Sequence, residues 1–200
     1  MSLKNSNKAD ISATTTSKIK NITIDIFDTV IKAMIIILLI TTFVFKMCTV
    51  VGSSMSPTLT NGERVIISDI FYTPKENDLI VFHMTGDLNE PIVKRVIATE
   101  NRFVKIDYDN CKLYVSDDNV FDESELIDES AYVNISGGSY KSNSGVYVTQ
   151  VPQGHLFVMG DNRNNSADSR SPEIGFVDTR TVLGKVILRI SPSDKIGFVE

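Results

Sequence analysis

Residues 33–45 carry no charge, and Lys32 and Lys46 bracket them. A run this short could form a buried helix or the core of a signal peptide. Lysines at a membrane boundary can snorkel, however, so the bracket does not limit the apolar length. Residues 31–51 taken as one helix reach about 31 Å at ~1.5 Å per residue. That matches a bilayer core of roughly 30 Å. The run therefore predicts a transmembrane helix over residues 30–51. A cleaved signal peptide would need small residues at its cut site, and Phe45-Lys46-Met47-Cys48-Thr49 offers none. Lys46-Met47 is also a poor lead-in to a lipid-modified Cys48. Lys4, Lys8, Lys18, Lys20 and Lys32 precede the run, and the next cation after Lys46 is Arg64. This asymmetry predicts a cytoplasmic tail over 1–29 and an exported domain over 52–200, in a single-pass protein of the cell membrane. The first 20 residues are polar and aperiodic and read as a disordered tail.

Past the run, short β-branched stretches alternate with turn residues. Arg64–Ile67, Leu79–Phe82, Val93–Ile97, Phe103–Asp107, Lys112–Val115, Gly145–Thr149, Leu156–Met159 and Gly184–Ile190 read as strands. With no long amphipathic helix beyond residue 51, the class is mainly β: an all-β exported domain behind one N-terminal helix. The net charge of −5 argues against a nucleic-acid partner. Cys48 and Cys111 read as free thiols, and no Cys/His cluster has metal-ligand spacing. Residues 107–146 read as a variable, partly flexible insertion. Its acidic stretch, Asp117–Glu129, reads as a solvated surface and lacks the spacing of a calcium loop.

Three motifs point to chemistry. Gly52-Ser53-Ser54-Met55-Ser56-Pro57 is a turn able to hold the Ser54 hydroxyl at a surface. Lys94 sits inside the apolar run Ile92–Ile97, where strand alternation places it with Ile92 and Val96. Alone, such a lysine reads as an edge-strand residue with its head in water. Beside a candidate serine it reads as a base, because burial favours the neutral amine. Arg95 cannot serve, since guanidinium stays charged. The third motif is the polar loop Gly160-Asp161-Asn162-Arg163-Asn164-Asn165-Ser166-Ala167-Asp168-Ser169-Arg170.

In this order, behind a membrane anchor, the three motifs resemble the boxes of the type I signal peptidases, membrane-bound Ser-Lys endopeptidases. The resemblance implies a β-sheet catalytic domain that cleaves signal peptides from exported preproteins at the membrane lipid surface, with no cofactor. It implies Ser54 as nucleophile and Lys94 as general base. Ser166 would orient the lysine, and Asp168 and Arg170 would form a structural ion pair near the site. Asp161 and Arg163 also fall on family positions. The oxyanion would be held by the Ser54 N–H. Some relatives add a serine hydroxyl two residues earlier, where this chain has Gly52. Met55, Leu59, Ile92 and Val93 would shape apolar pockets for small substrate side chains, core packing being the other reading of each. The rival readings are a self-cleaving repressor with the same dyad and a silent membrane-tethered binding protein. The anchor and the absence of a DNA-binding segment oppose the first. The presence of both Ser54 and Lys94 opposes the second.

Overall fold

The computed structural model describes residues 23–39, 45–84, 91–133 and 144–199. The chain divides into two compact units, Met1–Phe45 and Lys46–Glu200. The described part of the first is one helix, α1, over residues 23–39, exposed along its whole length. Among the described residues no helix is long and apolar enough to cross a membrane. The expected polar tail at 1–20 lies outside them, as do residues 40–44 of the apolar run.

The helix expected to continue to Val51 does not. Lys46–Thr49 is instead a strand, β1, paired antiparallel with β2 (Arg64–Ser68) through Met47↔Ile66 and Cys48↔Val65. Cys48 packs against the core while Met47 points outward, the two-residue alternation of a strand. A ladder partner across β2 outweighs the apolar character that made the segment read as helix.

The second unit is built on a large sheet of order β1-β2-β10-β3-β4-β8-β9, with β11 (Gly197–Phe198) on β10. Its other strands are β3 (Leu79–His83), β4 (Pro91–Ala98), β8 (His155–Met159), β9 (Val177–Asp178) and β10 (Val182–Ser191). Strands β1, β9 and β11 were not anticipated; the last two are two residues long, too short to show a period. A smaller sheet of order β6-β5-β7 comprises β5 (Phe103–Asp107), β6 (Lys112–Ser116) and β7 (Val146–Gln150). One apolar cluster, with Val50, Met55, Leu59, Val65 and Ile67, lies beneath the Ser54 turn. A second joins Ile80, Phe82, Val96 and Val158. The third joins the smaller sheet to Ile97, Phe157 and Met159.

Residues 107–133 are more ordered than an insertion need be. Leu113, Val115 and Ile127 pack on the third cluster. The Ile127 N–H donates to the Leu113 carbonyl at 2.8 Å. Asp122 caps the 3-10 turn Glu123–Glu125 and stays exposed, as a solvated surface would. Glu129 does not: its side chain is only 9% exposed. The glycine- and serine-rich stretch expected to be flexible, 137–143, lies outside the described residues. Among the described residues neither Cys48 nor Cys111 is in a disulfide.

Candidate active site

Residues 50–63 form the loop between β1 and β2. The Val50 N–H donates to Glu63 O and the Gly62 N–H to Val50 O, both at 2.8 Å, which closes its neck. Arg189 of β10 donates to the Thr58 carbonyl at 3.0 Å and to Glu63 Oε2 at 3.1 Å, tying the loop to the middle of the sheet. Gly52 has φ +89°, a left-handed conformation that disfavours side chains, and its N–H donates to Asn61 Oδ1 at 2.9 Å. The turn so formed carries Ser54. Among the described residues the Ser54 N–H has no acceptor, so a substrate oxygen could take it.

Lys94 lies on β4, an interior strand between β3 and β8, opposite Ile80. It is 4% exposed, which sets aside the edge-strand alternative. Its Nζ lies 2.7 Å from Ser54 Oγ. The ammonium donates along that line, and the neutral amine can take the hydroxyl proton along it. Burial lowers the Lys94 pKa to about 8; Asp168 opposes that drop, Arg170 adds to it, and Asp161 opposes it.

The polar loop frames this pair. Asp168 is wholly buried and pairs with Arg170 through two hydrogen bonds of 2.8 Å. Burial pushes its carboxyl up, but Arg170, the Gly160 N–H and Ser166 more than offset this and hold it below the usual range. Asp161 takes Arg95 Nε at 2.9 Å and Nη2 at 2.8 Å, and also accepts from the Thr58 hydroxyl at 2.5 Å. The loop holds the serine turn through its backbone as well. The Asn162 N–H donates to Ser54 O at 3.0 Å, Asn162 Nδ2 to Ser53 O at 3.1 Å, and Asn165 Nδ2 to Ser53 Oγ at 2.9 Å.

Not every expected residue falls in its expected place. Ser166 was to orient Lys94, but among the described residues no hydrogen bond joins them; the Ser166 hydroxyl donates to the Ala167 carbonyl at 3.4 Å. Met55 and Leu59, expected in a pocket, are 1% and 0% exposed and belong to the core beneath the turn. Burying their apolar surface there stabilises the loop and removes it from direct contact with a ligand. Ile92 and Val93 stay partly exposed. Thr58, and within the polar motif Asn162 and Asn165, take on contacts that their residue types alone do not signal. Glu129, expected on a solvated surface, instead pairs with Arg163 at 2.5 Å.

Comparison with known proteins identifies the family. The family model described as signal peptidase, peptidase S26, matches residues 23–191. The chain is 30% identical over 175 residues to the probable signal peptidase I-1 of Synechocystis sp., covering 82% of this chain and 81% of that one. It is 31% identical over 185 residues to signal peptidase IB of Staphylococcus aureus, covering 83% and 88%. A crystal structure of a signal peptidase I from Enterococcus faecalis V583 matches with a TM-score of 0.42 at 28% identity, covering 57% of this chain and 97% of that one. The chain belongs to the signal peptidase family, peptidase S26.

Proposed function

We propose that Ser54 and Lys94 carry the signal-peptidase activity of this chain, with Ser54 as nucleophile and Lys94 as general base. The observation that supports this reading most is the 2.7 Å contact between the serine hydroxyl and a buried lysine amine. Neutral Lys94 takes the Ser54 proton as Oγ attacks the carbonyl carbon of the scissile bond. The Ser54 N–H meets the oxyanion. The lysine then gives its proton to the leaving amine, which departs with the mature protein. A water, deprotonated by the same lysine, hydrolyses the acyl-enzyme and releases the signal peptide. Asp168 and Arg170 hold the frame. Ile92 and Val93 receive small substrate side chains.

The test is acylation of the full chain, in detergent, by a serine-reactive probe, alongside cleavage of a synthetic preprotein with alanine before the cut. The expected result is one label on Ser54, lost in Ser54→Ala together with cleavage. Both rates should rise about tenfold per pH unit below the Lys94 pKa of about 8 and level off above it, because only the neutral amine acts as base. Turnover by Ser54→Ala, or a pH-independent rate between 6 and 9 (a span of about three units), would overturn the assignment.

The reading extends to the membrane. Residues 33–39 of α1, Ala-Met-Ile-Ile-Ile-Leu-Leu, are apolar and exposed on every side, and a helix apolar all round calls for a cover other than water. After β2, Ile70 and Phe71 are likewise exposed, Phe71 fully, and offer a second lipid contact. With the lysine asymmetry, this supports a single pass with the tail inside and the β domain outside. Protease added outside spheroplasts should cut within 117–145 and spare residues 1–20; the reverse pattern would refute the orientation.

A further inference from the structure

Two buried arginines of the site, Arg95 beside Lys94 and Arg163 in the polar loop, both meet one short segment outside the large sheet. The Glu129 carbonyl accepts from the Tyr132 N–H at 3.1 Å and the Val133 N–H at 2.9 Å, so residues 129–133 form a closed turn. Upstream, the turn is anchored by Ile127 in the core and by a bridge between Leu126 and Tyr114. From it the Glu129 carboxylate reaches Arg163 Nη2 at 2.5 Å, with the arginine side chain only 1% exposed. Arg163 Nη1 in turn donates to the Met159 sulfur at 3.3 Å. The Tyr132 ring lies 3.9 Å from the carbon of the Arg95 guanidinium, which is wholly buried.

Each contact continues toward the reacting atoms. Tyr132 stacks on Arg95, Arg95 grips Asp161, and Asp161 accepts from Thr58, four residues after Ser54 in the same loop. Glu129 fixes Arg163 within the loop whose Asn162 and Asn165 hold Ser53 and Ser54. Two lines of contact to the Ser54 loop thus start from this one turn.

We infer that Glu129 and Tyr132 are positioning residues of the active site, acting through Arg163 and Arg95 to hold the Ser54 turn in register with Lys94. Neither touches the dyad. The inference rests on the Ser54–Lys94 reading, and the experiment keeps the two apart. In the full chain, active sites are first titrated with the acylating probe, so that misfolded molecules are not counted. Turnover per titrated site is then measured for Glu129→Gln, Tyr132→Leu and Tyr132→Phe. Glu129→Gln and Tyr132→Leu should each lower kcat per site about tenfold or more, with KM within about twofold, since a misplacement of ~1 Å can cost about a hundredfold. Tyr132→Phe keeps the ring face over Arg95 and should match the parent. Parental kcat per site in both of the first two, whatever happens to Tm, would reduce the turn to a structural brace and overturn the inference. A rise in KM alone would do the same. If Tyr132→Leu does not fold, Glu129→Gln decides. Failure of the parent chain to label at Ser54 would instead strike the underlying assignment.

Discussion

Lys94→Met should abolish cleavage, by about four orders of magnitude or more, and leave the β domain more stable at pH 7. The loss follows from the proposed role of Lys94: without a base an alcohol is a weak nucleophile, and removing a member of such a catalytic unit forfeits most of the rate. The gain follows from linkage. The folded pKa of Lys94 is about 8, against an ordinary value of 10.5. Below about pH 8 both folded and unfolded chains hold the proton, so the folded state bears the full cost of a buried ammonium. Between about 8 and 10.5 the unfolded chain binds more protons than the folded one, so stability rises with pH until the cost is gone. At 1.36 kcal/mol per pH unit the cost at neutral pH is on the order of 3 kcal/mol. Methionine has similar length and no charge. Urea denaturation of parent and variant at pH 7 and pH 10.5 checks this: the variant should lead at pH 7, and the gap should close at pH 10.5. A variant clearly weaker at pH 7 would mean that Lys94 is a charged, solvated residue in solution.

Gly160→Ala should be the most damaging single-methyl change in the polar loop. A Cβ built on Gly160 would lie 2.5 Å from the Ser54 carbonyl oxygen and 2.7 Å from Ser166 Cβ, and would overlap the Ser166 hydroxyl. Rotating Ser166 relieves only the last of these. The others need backbone to move, and the carbonyl in question belongs to Ser54, the proposed nucleophile, where it accepts the Asn162 N–H. Overpacking of this kind costs about 1–3 kcal/mol. A shift of the serine by ~1 Å would lower turnover about a hundredfold. The readouts are kcat per titrated site and the denaturation midpoint. Near-parental turnover would mean that the Ser54 turn and the polar loop sit farther apart in solution. No left-handed backbone is involved at Gly160, unlike Gly52, so the effect is steric contact alone.

Much of this molecule was legible before its structure was. Strands β2 to β8 and β10 announce themselves through β-branched runs between turn residues, because a strand's pattern is set by near neighbours in the chain. The serine turn and the polar loop were also visible as motifs. What the order of residues did not determine is what lies next to what. An apolar segment ending in Lys46-Met47-Cys48-Thr49 reads as helix until β2 supplies the ladder that makes it strand. Met55 and Leu59 resemble pocket residues until the turn folds onto Val65 and Ile67 and buries them. Glu129 sits last in an acidic run and looks solvated, until an arginine 34 positions later, Arg163, takes it out of water. Residue types and local spacing thus determined most of the strands and the motifs that carry the family resemblance. Tertiary structure alone decided which charges are buried and paired, because the cost of burying a charge is repaid only by a partner brought from far along the chain.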